Sequence, residues 1–245
     1  MIMPTSTART GAAGMSVDPP RPTQLLRLLR LASPALPVGA YSYSQGLEWA
    51  IESGAVSDAA GAQRWIGDAL RFAMARFEAP LWWRLYHCWQ GEDHDGARRW
   101  DEFFVASRET AELRAETLQM GGSLRSLLAD LGEFAGAAFA PLAAIESPAY
   151  VTVAAFAAAA WRIEPRAALT AHCWAWCENQ VLAAVKAVPL GQVAGQRMLA
   201  ALCERIEGAV EAATECGDDA LANFAPGMAL ASALHETQYS RLFRS

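Results

Sequence analysis

PRAALTAHCWAWCENQVLAAVKAV, residues 165–188, decides the fold class. Pro165 suits the first position of a helix, where a missing N–H costs nothing. Pro189 ends what precedes it. Between them the chain is apolar almost all round, interrupted by His172, Glu178, Asn179, Gln180 and Lys186. Apolarity on every side of so long a helix predicts a central, buried position.

Outward from this stretch the helical reading repeats. Ser147-Pro148 reads as N-cap and first position of an Ala-rich helix ending near Trp161. Over residues 97–131 one long pattern puts Leu113, Met120, Leu124, Leu127, Leu128 and Leu131 on a single face. Arg108, Glu112, Glu116 and Arg125 fall off that stripe, and Glu109, Glu112 and Glu116 read as ordinary surface spacing. Gly121-Gly122 costs the helix about 1 kcal/mol per glycine, so a kink or a close helix contact is expected there.

Residues 91–96 read as a polar loop. Asp58 can cap a helix running to about Arg76 and on past Pro80 to Trp89, and residues 44–53 form another, ended by Gly54. Thr23 can cap a first helix reaching Ala32, which the prolines and glycine of residues 33–39 break. Downstream, helices are expected over 191–213 and 227–235. The expected organisation is a flexible tail at 1–22, one compact all-α bundle over 23–234, and a C-terminal docking segment at 235–245.

Composition agrees with this class. Of 245 residues 52 are alanine, the best helix former. Hydrophobic residues make up 53% and charged ones 19%, which excludes a disordered chain. A net charge of −6 argues against nucleic-acid binding. The only lysine, Lys186, precedes Ala187, so no Walker A loop is present. The cysteines, Cys88, Cys173, Cys177, Cys203 and Cys216, are odd in number and form no CxxC, which fits reduced thiols. With no apolar leader in the first 22 residues and no run long enough to span a bilayer, a cytoplasmic protein without a membrane partner is expected.

Tests for chemistry are mostly negative. His235-Glu236-Thr237-Gln238-Tyr239 begins like HExxH but lacks the second histidine. GxSxG and GxGxxG are absent. No catalytic residue and no cofactor is expected. Cys173 and Cys177 stand four apart on one helix beside His172 and could hold a soft metal, though in so apolar a setting cysteine is more often core.

Two stretches stand out. LASPALPVGAYSYSQGLE at 31–48 is a stiff Pro/Gly turn that could present Tyr41, Tyr43 and Gln45 to a partner. QYSRLFRS at 238–245 carries Tyr239, Leu242 and Phe243 flanked by Arg241 and Arg244, residue types typical of interface anchors. Such a segment either packs back on its own domain or orders on a partner.

These stretches, with ELRAETLQMGGSL at 112–124, VKAVPLGQ at 185–192 and HETQYSRLFRS at 235–245, resemble the urease accessory protein UreF family, in the same order and over nearly all of the chain after residue 22. The resemblance implies an all-α, non-enzymatic scaffold that dimerises. Its implied partners are UreD (also called UreH), the GTPase UreG and the urease apoenzyme, to which nickel is delivered and whose bridging lysine is carbamylated. It implies partner contacts at Tyr41, Tyr43, Gln45 and Glu48, and at His235, Glu236, Tyr239, Arg241, Leu242, Phe243 and Arg244 on the UreD side. The segment from Arg114 to Gly121, with Glu116 and Met120, and Lys186 are then candidates for the UreG side or for gating GTP turnover, and Gln192 is a further partner-contact candidate. The alternatives are a nickel metallochaperone using His172, Cys173 and Cys177, and a GTPase-activating protein with Arg114 as its finger.

Overall fold

The computed structural model describes residues 21–245, and eleven α-helices account for most of them. They are α1 (Pro22–Ala32), α2 (Leu47–Glu52), α3 (Ala59–Ala69), α4 (Ala79–Gln90), α5 (His94–Ala106), α6 (Ala111–Leu131), α7 (Gly136–Ala143), α8 (Tyr150–Ala160), α9 (Pro165–Ala187), α10 (Gln192–Glu215) and α11 (Pro226–His235). No strand occurs among the described residues, so the chain is all-α. Among them, too, no helix is long and apolar enough to cross a membrane. The flexible tail expected at 1–22 lies outside the described residues up to position 20. Helix α1 starts at Pro22 behind Arg21, so Thr23 is inside the helix rather than its cap.

Helix α8 packs on α4 and α6, while α9 packs on α10 and α1. The buried centre is α8, not α9 as apolarity predicted. Every residue from Val151 to Ala159 is buried, because the alanine side chains let neighbours close in on all sides. Helix α9 keeps Cys173, Cys177 and Val181 inward but leaves Leu182 on the surface and Trp174 and Trp176 half-buried.

Asp58 caps α3 as expected, its carboxylate accepting from Gly61 N at 2.7 Å. The helix continues through a π-helical segment, Leu70–Glu78, straight into α4. Pro80 can donate no backbone hydrogen bond to Arg76. The Arg76 carbonyl accepts from Ala222 N instead, at 3.1 Å.

The single pattern expected over 97–131 is two helices. Ser107 Oγ donates to Phe103 O at 2.7 Å and closes α5, and Thr110 Oγ1 accepts from Leu113 N to open α6. The loop expected over 91–96 ends early, because Asp93 caps α5 by accepting from Gly96 N. Helix α8 starts at Tyr150 rather than at Pro148. Its first amides are held from outside: Ala149 N donates to Asp101 Oδ1 at 2.8 Å and Tyr150 N to Thr117 Oγ1 at 3.1 Å. Gly121 explains the double glycine, since a Cβ there would overlap the Pro148 carbonyl, while Gly122 faces open space.

Candidate partner-docking site

The turn at 33–46 and the C-terminal segment, 201 residues apart at their closest hydrogen bond, form one site. Helix α2 is shorter than expected: Gln45 and Gly46 take left-handed φ of 53° and 82°, and α2 begins only at Leu47. Glycine is required at 46, because a Cβ would sit 2.7 Å from Ser232 N on α11. The turn exposes Tyr41 but folds Tyr43, Gln45 and Glu48 inward. Tyr43 OH donates to Gln119 Oε1 at 2.7 Å, and Asn179 Nδ2 donates to the Tyr43 carbonyl at 3.1 Å.

Against this turn the C-terminal segment packs back on its own domain. Ser245 O accepts from Ser44 N and Ser44 Oγ, both at 2.6 Å, and from Gln45 N at 3.1 Å. Arg244 N donates to Ser42 O at 2.7 Å. The buried Glu48 carboxylate accepts from Leu242 N at 2.6 Å and Phe243 N at 3.0 Å. Phe243 is buried, with the Lys186 ammonium 4.6 Å from its ring centre. Seated this way, the segment turns Tyr239, fully exposed, and Leu242, more than half exposed, to the outside.

Beneath the segment lies a charged cluster. His235, with no exposed surface, sets Nε2 3.0 Å from Glu48 Oε2 and Nδ1 2.7 Å from Glu112 Oε2. Arg241 pairs with the other Glu112 oxygen at 2.7 Å. Glu236 Oε1 accepts from Ala111 N at 2.9 Å, so the end of α11 helps cap α6. One turn along α6, the buried Glu116 accepts from Gln45 Nε2 at 2.8 Å and Ser245 Oγ at 2.9 Å. Burial pushes its carboxyl up to about 7, against the pull of Gln45, Arg108 and Ser245.

Beside Glu116 is a cavity of about 70 Å³, lined by Glu78, Arg108, Met120, Tyr150 and His172 among others. His172 Nε2 lies 3.2 Å from Glu78 Oε1, and Arg108 Nη1 lies 3.6 Å from Glu78 Oε2. Burial opposes ionisation of Glu78, but His172 and Arg108 outweigh it and hold the carboxyl below its usual range.

Of the predicted site residues, Tyr43, Gln45, Glu48, Glu116, Lys186, His235, Glu236, Arg241, Phe243 and Arg244 meet at this seat, with Met120 in the adjoining cavity. Arg114 on α6 and Gln192 at the start of α10 are exposed and make no hydrogen bond or ion pair within it. Sequence reasoning missed Glu112, Glu78, Arg108 and Ser44. The surface reading of Glu112 and Glu116 is corrected, since both turn toward the C-terminal segment. No local signal marks them, since α6 carries Arg114 and Arg125 beside Glu112, Glu116 and Asp130.

The metal alternative loses its donors. Cys173 and Cys177 are wholly buried, and burial pushes both thiols up, Cys177 to about 12. A thiolate is the form that binds metal. Among the described residues no three His, Cys, Asp or Glu side chains converge as a metal site.

The UreF family model matches residues 56–203. A protein named urease accessory protein UreF from Azoarcus sp. strain BH72 is 59% identical over 223 residues, covering 90% of this chain and 95% of that one. Proteins of the same name from Dechloromonas aromatica strain RCB and Methylobacillus flagellatus are 54% and 50% identical, covering 91% and 90% of this chain and 98% and 97% of theirs. The all-α bundle that carries the joined turn and C-terminal segment belongs to the UreF family of urease accessory proteins.

Proposed function

We propose that this chain is a cytoplasmic, non-enzymatic scaffold, acting as a homodimer, that joins UreD and the GTPase UreG on the urease apoprotein. In this role it regulates GTP-dependent nickel delivery and carbamylation of the active-site lysine. The observation that carries the reading is the C-terminal segment. Its backbone is held by buried carboxylates, yet it presents Tyr239 and Leu242 outward, and the turn it is bonded to exposes Tyr41. Exposed Tyr and Leu on an ordered support are what a partner interface needs, because the side chains that bind are positioned before binding.

UreD docks on this face. Lys186, whose ammonium touches the Phe243 ring, and the exposed Arg114 and Gln192 serve the UreG side. The test is capture of UreD by the full chain carrying Tyr239→Ala and Leu242→Ser. Both side chains are exposed, so the fold stays intact and UreD capture is lost. Wild-type capture by the double variant refutes the docking face. Failure of UreD and UreG to form a joint complex with the wild-type chain on gel filtration refutes the scaffold. Arg114→Ala that leaves GTP hydrolysis by the assembled complex unchanged removes Arg114 from its control.

A further inference from the structure

The chain carries 26 acidic residues against 20 basic ones, so carboxylates are plentiful for its arginines. Arg30, Arg84, Arg98, Arg108 and Arg241 each find one within 4 Å. Arg71, Arg76 and Arg205 find none among the described residues, yet all three are exposed along a single groove between the π-helical segment and α10.

Local structure gathers them. Hydrogen bonding from i to i+5 winds a π-helix more loosely than an α-helix, so residues five apart approach one side. Arg71 and Arg76 stand five apart in Leu70–Glu78, and their guanidinium carbons lie 5.0 and 5.9 Å from the centre of the same Phe72 ring. From α10, Arg205 reaches over Gly67 on α3, where any Cβ would overlap its Nη1. The ring and the glycine hold three guanidinium groups in place without neutralising any of them. Asp68 is the one acidic side chain lining the groove, so three arginines against one aspartate leave it positive by two. The floor is small, with Ala75, Gly208 and Ala209, and a Cβ at Gly208 would meet nothing within 4 Å.

Gathered like charges repel one another, and an anion is what relieves them. A guanidinium pairs with a carboxylate through two parallel hydrogen bonds. A small ligand is normally enclosed on most of its surface. Here the donors are spread over two elements along an open groove of about 460 Å³, whose floor lets a polypeptide backbone come close. We propose that this groove docks an acidic segment of a partner protein, its carboxylates paired with Arg71, Arg76 and Arg205. None of these residues belongs to the seat of the C-terminal segment, so the groove is a second docking surface, separate from the first.

The test is fluorescence anisotropy of labelled hexaglutamate titrated with the full chain at low salt. Saturable binding is expected in spite of the net charge of −6, weakening as salt screens the contact. Arg71→Gln combined with Arg205→Gln should weaken it about tenfold or more, since charge-assisted hydrogen bonds are lost. Arg99→Gln combined with Arg197→Gln changes the net charge equally at exposed positions outside the groove, and should weaken it less than twofold. Equal weakening in both variants, or no saturable binding to the wild-type chain, overturns the proposal. Inorganic pyrophosphate that displaces hexaglutamate by binding more tightly makes the ligand a small anion and overturns it too. The wild-type chain supplies a second measurement. Hexaglutamate should slow phenylglyoxal modification of Arg71, Arg76 and Arg205, read by mass spectrometry, and leave Arg99 and Arg197 unchanged. Unslowed modification overturns the docking even where a variant fails to fold. Neither UreD nor UreG enters these assays, so their failure leaves the C-terminal docking reading standing.

Discussion

Helix α8 and the C-terminal segment are both anchored to the domain, by opposite means. Around α8 the work is apolar: Phe156 meets Trp89, Phe134 and Phe139 with ring centres 5.3 to 5.9 Å apart, and alanines fill the remaining sides. The C-terminal segment is held by Glu48, Glu112, Glu116 and the 42–45 backbone. Apolar burial is non-directional and indifferent to pH. A seat of carboxylates depends on each donor and each proton being present. The first suits a part that must never open, and the second suits one that exchanges partners.

The comparison is broken most directly at α8. Phe156→Ala should cost about 3–5 kcal/mol of global stability, the usual range for a buried aromatic. Denaturant unfolding at two pH values checks it, and the loss should be the same at pH 6 and pH 8.

At the seat, Glu48→Ala should act locally. Two amides and His235 lose their acceptor, weakening the seating by about 3 kcal/mol at 1–3 kcal/mol per unmet buried group. Exchange at Leu242 and Phe243 should accelerate about a hundredfold, with the α8 amides little changed. Equal acceleration in both places would show that the two regions unfold as one unit.

Glu116→Gln should have the opposite sign. The folded carboxyl titrates near 7 against 4.5 in the unfolded chain. Between those values the unfolded chain has lost its proton and the folded one has not, so the group's contribution to stability falls as pH rises from 4.5 to about 7 and is flat above. Glutamine removes that slope. The variant should be more stable than wild type at pH 8 by about 3 kcal/mol at most, since each tenfold change in proton affinity between folded and unfolded chain is worth about 1.4 kcal/mol. Denaturant unfolding of both proteins across this pH range checks it, and the two should converge below pH 4.5.

The same contrast explains what was legible in the sequence. The α8 neighbourhood, α9 and α10 follow from local pattern, because helix propensity and apolar runs are properties of neighbours in the chain. Asp58 and Pro165 announce their helices in the same way. The α5–α6 break hides behind Arg108 and Glu109, both good helix formers, and the π segment leaves no proline or glycine within 70–78 to mark it. Short α7 holds a proline inside an Ala-rich stretch and escapes notice. The seat is the least legible. Glu48 and His235 are 187 residues apart, and nothing local distinguishes a carboxylate facing solvent from one facing a buried imidazole. Glu48 and Glu116 entered the candidate set through family resemblance, whereas Glu112, on the same helix as Glu116, looked like surface.

Lys186 gives the smallest and most discriminating effect. Its ammonium lies 4.6 Å from the centre of the Phe243 ring, at an exposed position where such a contact is worth about 0.5–1 kcal/mol. Lys186→Met keeps the apolar stem and removes only the charge. Exchange at Leu242 and Phe243 should then accelerate two- to fivefold, with global stability unchanged within about 0.5 kcal/mol. If Lys186 acts on the proposed partner GTPase only through the segment it clamps, GTP turnover in the proposed complex should shift in the variant by no more than the seating does. A large change in turnover with unchanged exchange would place Lys186 in direct contact with the GTPase. The two roles compete for one ammonium group, since a lysine over Phe243 cannot at the same time reach across an interface.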